Sequence, residues 1–162
     1  MMHRGWQNAP PPQPGFQRHH LIPLALLQRP QMAAMFDHLR AEGFLLRQFA
    51  GNGLMLPACE ATALWSGHAL HRGPHRGYND VVGARVERIR VYFALQAPAD
   101  LRAARCTTVM RLRLLQDATR RALTDRHGCA FWLNRRDPMR LFADRPYLDD
   151  AIEQLFGDKV RV

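Results

Sequence analysis

The sequence predicts an α+β protein, mostly helical, with short strands early in the chain and long helices after them. Three observations point there. Apolar runs in the first 60 residues are short and cut by proline or glycine. Two long stretches after residue 77 repeat apolar residues every three to four positions. The longest apolar run, residues 21–27, is interrupted by Pro23 and is far too short to cross a bilayer, so a membrane partner is not expected. At 162 residues the chain has room for one domain, or one domain with an appendage. An apolar fraction of 47% can fill a core, and the mean hydropathy is -0.32.

Residues 1–17 are rich in Pro, Gln and Gly and read as a flexible leader, with Pro10-Pro11-Pro12-Gln13-Pro14 an extended polyproline tether. Residues 20–27 suit a short strand limited by proline. Pro30 opens a helix with Met32, Met35, Phe36 and Leu39 on one face and Gly43 as its stop. Residues 44–49 read as extended. Asn52-Gly53 is a turn signal, and Leu54-Met55-Leu56 a short strand ended by Pro57. Residues 58–69 are indistinct, with room for a helical turn or two.

Residues 78–95 form the clearest helix of this half, with Tyr78, Val82, Ile89 and Phe93 on one face, Val86 at its edge and Pro98 ending the run. Asp100 caps a second long helix to about His127, with Gly128 as its stop. Its stripe is Leu101, Ala104, Thr108, Leu112, Leu115, Ala122 and Leu123, flanked by Arg102, Arg113 and Arg120. A shorter acidic helix covers residues 147–156. The expected organisation is a leader over 1–17, a core over 18–97, and a helical extension over 98–162 packed on that core.

The net charge of +9 favours polyanions, nucleic acid first, with salt-sensitive binding. The excess is spread over the chain, with 10 basic and 5 acidic residues in 1–97 and 11 and 5 in 98–148, so the second long helix could extend a nucleic-acid footprint. Cys59, Cys106 and Cys129 are odd in number and far apart, which argues against a disulfide framework or a four-cysteine zinc site. Residues 1–15 lack the apolar stretch of a secretory signal.

The chemistry is carried by scattered polar residues: His19-His20, Asn52, and His71-x-Gly73-x-His75. Hydrolysing a phosphodiester needs a base to activate water, charge stabilisation on the phosphate, and help for the leaving oxygen. A neutral histidine serves as the base near pH 7, and a divalent cation serves the rest. Histidines four apart at a helix start reach one metal, and Gly73-Pro74 between them suits such a start. A third ligand could come from His19-His20. Adjacent strand residues face opposite ways, so the spacing alone leaves open which member of the pair does what. His68 is a fallback ligand, while His3, His38 and His127 read as structural or exposed. Phe131-Trp132 beside Asn134-Arg135-Arg136 reads as a core residue next to a basic turn.

The run His19-His20-Leu21-Ile22-Pro23, a helix, Asn52-Gly53-x-x-Leu56-Pro57, then His71-x-Gly73-x-His75-x-x-Tyr78 resembles the AHH family of predicted nucleases. That family is a branch of the HNH and endonuclease VII-like His-Me finger group, often found in bacterial polymorphic toxins. The resemblance covers roughly residues 16–89. It implies a ββα-metal core followed by added C-terminal helices. It implies a metal-dependent endonuclease in which His20 is the general base, Asn52 orients it, and His19, His71 and His75 bind one divalent ion, Zn, Mg, Mn or Ni. Arg72 and Arg76, beside the ligands, become candidates for holding phosphate. It also implies a toxin acting on nucleic acid, DNA favoured over RNA. Such a protein would be made in a bacterial cytoplasm, exported by a specialised system and neutralised by an acidic immunity protein. Two departures stand out: Arg18 occupies the place of the family's alanine, and Arg76 replaces a proline often found after the last histidine. The competing reading is a non-catalytic nucleic-acid-binding protein with a structural zinc. Such sites are closed by four ligands, whereas three good ones are found here.

Overall fold

The computed structural model describes residues 7–124, with residues 133, 137 and 138. Two strands, β1 (Phe16–His20) and β2 (Gly53–Pro57), pair antiparallel with His19 opposite Leu54 and His20 opposite Gly53. Between them lie α1 (Pro30–Leu39) and the single-turn α2 (Phe49–Asn52). After β2 come α3 (Glu60–Ser66), α4 (Arg76–Gln96) and α5 (Leu101–Thr124). The fold is mixed α+β, with a strand pair, a helix behind it, and added helices at the C-terminal side. No helix among the described residues is long and apolar enough to cross a membrane.

The first strand ends where it was expected to begin. Leu21 and Ile22 leave the ladder because their backbones bond to Asn52, Leu21 N–H to its carbonyl at 2.9 Å and Ile22 N–H to its Oδ1 at 2.8 Å. A 3-10 turn then runs over Leu24–Gln28. Asn52-Gly53 is not a hairpin turn either. Asn52 closes α2, and Gly53 is extended at φ -108, ψ 154. The glycine is required by a close approach, since a Cβ there would lie 2.3 Å from the Phe49 ring.

The N-terminal segment is not a plain tether within its described part. Gln7 bridges to Gln48, donating to the Arg47 carbonyl and accepting from Phe49 N–H, both at 3.0 Å. Gly15 accepts from Ala58 N–H at 2.8 Å.

The core lies where α1, α4 and α5 meet beneath the strand pair. Met32, Met35, Phe36 and Leu39 of α1 are buried, as are Tyr78, Val82, Val86, Ile89 and Phe93 of α4, with Val86 fully enclosed rather than at an edge. Asp100 caps α5 through Ala103 N–H at 2.9 Å. On α5 the expected stripe holds except at Leu101, which sits in the exposed first turn. The buried face also includes Val109, Gln116 and Thr119, two of them polar. The end of the long helix past Thr124, the acidic helix over 147–156, Cys129, Phe131-Trp132 and Asn134-Arg135-Arg136 fall outside the described residues.

Candidate active site

Strand alternation assigns the two histidines of β1 to different surroundings. His19 is 3% exposed and shares its face with Gln17, while His20 is half-buried. His71 is fixed by its own backbone, whose N–H donates to the Pro57 carbonyl at 2.7 Å and so hangs the residue from the end of β2. Gly73 then takes φ 77, a left-handed conformation that suits glycine, and the chain doubles back so that His75, the residue before α4, faces His71. On the first turn of α4, Tyr78 is buried and donates its hydroxyl to the Leu21 carbonyl at 2.6 Å, pinning α4 to the bend after the histidine pair.

Three histidines converge as a result. The ring centroids of His19 and His71 lie 5.0 Å apart, those of His19 and His75 5.3 Å, and those of His71 and His75 4.6 Å. One ligand nitrogen from each can be chosen so that all three lie within 4.8 Å of one another. The His19 ring also packs edge-on against Tyr78 at 5.0 Å. His68, the fallback ligand, is not in this cluster.

Burial is the largest influence on each of these imidazoles. It depresses His19 to about 2 and His71 to about 4, with the neighbouring rings adding to the effect, and it lowers His75 as well. His20 is held at about 4, first by burial and then by the Arg47 guanidinium and His71. All four rings are therefore neutral near pH 7, with lone pairs available for a metal or a proton. The donor set fits a cation. The His19 Nε2 and His75 Nδ1 atoms are buried with no hydrogen-bond partner among the described residues, and a buried polar atom left so is costly unless something binds it. His71 Nδ1 donates to Gln17 Oε1 at 2.9 Å. That bond leaves Nε2 as the ligand atom, the arrangement in which a second group sets the tautomer of a metal-binding histidine. Three histidines of neutral charge make a site for a single divalent ion with room for further ligands.

Asn52 is absent from the cluster but holds its frame. It is fully buried, and its amide is saturated: Nδ2 donates to the Ile22 and Leu46 carbonyls at 2.8 and 2.9 Å, and Oδ1 accepts from Ile22 N–H and from Gln116 Nε2 at 2.8 and 3.2 Å. It thereby fixes the two residues that follow the histidine pair.

A family model described as a nuclease family of the HNH/ENDO VII superfamily with conserved AHH matches residues 1–105. The chain belongs to the AHH nuclease family. No curated protein and no solved structure matches it. The match takes in the histidine pair, Asn52 and both later histidines, so the three-histidine cluster of this AHH protein is a nuclease-type active site, suited to a metal-dependent phosphodiester hydrolase that acts on nucleic acid.

Where the AHH name specifies alanine, Arg18 turns its guanidinium to the Pro10 carbonyl, so the larger side chain is taken up by the N-terminal segment. Arg72 and Arg76 are both exposed, Arg76 as the first residue of α4. Two residues near the AHH site escaped the sequence reading. Gln17 carried a usable signal, since it lies two positions before His19 on the strand. Arg47 carried none, because the fold alone brings residue 47 within electrostatic reach of His20.

Proposed function

We propose that this protein is an endonuclease in which His20 is the general base and His19, His71 and His75 hold one divalent ion. The convergence of His19, whose buried Nε2 has no partner among the described residues, with His71 and His75 carries the reading. Neutral at pH 7, His20 accepts a proton on a ring nitrogen as water attacks phosphorus in line. Arg47, beside His20, and the exposed Arg72 and Arg76 offer cations to hold the phosphate. When bound, the divalent ion supplies Lewis-acid stabilisation of the charged phosphate and of the leaving 3′ oxygen. Asn52 and Tyr78 hold the backbone at Leu21 and Ile22, so the base keeps its orientation.

The +9 charge supports a polyanionic substrate, and DNA is favoured over RNA. Membership in the AHH family supports a role as a bacterial toxin or effector. It would be made in the cytoplasm, exported by a specialised system and neutralised by an acidic immunity protein.

Cleavage of supercoiled plasmid and of total RNA tests this, using the wild type and His20→Ala in EDTA and with added magnesium, manganese, nickel or zinc. Metal-dependent cutting that falls about 10²- to 10⁴-fold in His20→Ala, with metal affinity kept, is the expected result. Tight binding of one zinc with no cutting would instead make the site structural.

A further inference from the structure

The family match ends at residue 105, in the first turns of α5, yet a later turn of that helix reaches the corner on which the histidine pair depends. Gln116 and Arg120 are four apart and share a face. Gln116 Nε2 donates to Asn52 Oδ1 at 3.2 Å. Arg120 Nη1 donates to the Gly53 carbonyl at 3.1 Å, and Nη2 to the Gly51 carbonyl at 3.2 Å. The guanidinium thus straddles Asn52, one arm on the residue before it and one on the residue after.

The sequence pattern had grouped Arg120 with Arg102 and Arg113 on one arginine flank. Arg102 and Arg113 are exposed, but Arg120 is half-buried and turned onto this corner. The corner needs an outside brace. Gly51 and Gly53 have no side chains, and at Gly53 the Phe49 ring fills the space where one would stand. Beside the bonds that Asn52 makes itself, the carbonyls on either side of it take their side-chain partner from α5. Gly53 is also the residue opposite His20 in the β1–β2 ladder, so a shift of the corner is a shift of the strand end that carries His20.

We propose that Arg120, supported by Gln116, is a positioning residue for His20: α5 clamps the Gly51–Gly53 corner, and the corner sets where the base stands. The clamp extends the catalytic unit beyond the matched residues, and it rests on the reading of His20 as the base. A planar fork can meet two carbonyls two residues apart, whereas an ammonium holds one. A misplacement of about 1 Å at a reacting group costs on the order of 10²-fold in rate.

The test uses the full chain as wild type, Arg120→Ala and Arg120→Lys, with plasmid cleavage in the most active metal and amide hydrogen exchange on each protein. In Arg120→Ala, kcat falls about 10- to 100-fold while KM and metal affinity stay near wild type, and Arg120→Lys recovers part of the loss. Exchange rises at the amides of residues 21, 22 and 53, which bond to or within the corner, and stays unchanged in α1. A rise in KM with kcat unchanged would make Arg120 a substrate contact and overturn the proposal. So would wild-type kcat in either variant, or an exchange increase spread evenly over the chain. If Arg120→Ala does not fold, Arg120→Lys decides by the same two readouts. A wild type that cuts nothing sinks the proposed function, and the local exchange pattern still decides whether the clamp holds the end of β1.

Discussion

Asn52 and His19 are both polar and both buried, 0% and 3% exposed, and they flank the same strand pair, yet the fold treats them in opposite ways. Every donor and acceptor of the Asn52 amide has a protein partner, drawn from the bend after β1, from Leu46 and from α5. His19 packs against two other histidines, and nothing among the described residues bonds its buried Nε2. A saturated buried amide is a structural joint, since it returns its desolvation cost in hydrogen bonds. A buried nitrogen without a partner keeps that cost unless a ligand arrives. The family motif contains both residues and does not separate the two roles. The hydrogen-bond inventory does.

The sharpest way to break the comparison is Asn52→Ala. It leaves Ile22 N–H, the Ile22 and Leu46 carbonyls and the Gln116 amide without their partner in a closed interior. The expected cost is about 3 to 5 kcal/mol of stability, read as a lower denaturant midpoint, with cleavage and metal binding lost together. A variant that kept wild-type stability and lost only activity would move Asn52 from joint to chemistry.

What the sequence made legible follows the same division. The histidines could be found because metal ligands must be particular residue types at particular spacings, and His71-x-Gly73-x-His75 survives as written, with Gly73 making the reversal. The long helices could be read from their period, and Asp100 from its capping position. The position of β1 could not, because its end is set by bonds from Asn52, 30 residues away in the chain. Nor could the function of Gly53, whose dipeptide with asparagine looks like a turn but answers to the Phe49 ring. On α5 an apolar period does not reveal Gln116 and Thr119, because these buried residues are polar.

At the histidine cluster the opposite outcome to Asn52→Ala is expected. His71→Ala removes one of three ligands, so metal affinity measured by competition with a chelator falls by at least about 10²-fold, while the metal-free protein stays as stable as the wild type. Acid should act in the same place. In the metal-free protein the folded imidazoles hold protons less tightly than unfolded ones, whose pKa is about 6.5. The unfolded chain therefore takes up protons first. The stability these rings allow is complete above about pH 6.5 and is lost as pH falls toward about 4 for His20 and His71, and about 2 for His19. His19→Leu should flatten that decline in a pH series of unfolding midpoints. An unchanged slope would mean that His19 already meets water in the metal-free protein.

The smallest effect probes the one cluster nitrogen that does have a partner. Gln17 is exposed, so Gln17→Leu should leave the stability within about 0.5 kcal/mol of wild type. Its Oε1 nevertheless accepts from His71 Nδ1 at 2.9 Å, which keeps the proton off Nε2. Losing that acceptor frees the ring to rotate and to change tautomer, and metal affinity should weaken about 10- to 100-fold. Gln17→Glu keeps an acceptor and adds charge beside a cation, so it should bind at least as tightly as the wild type. If Gln17→Leu bound metal as well as the wild type, the bond from Gln17 would have no part in setting the His71 tautomer.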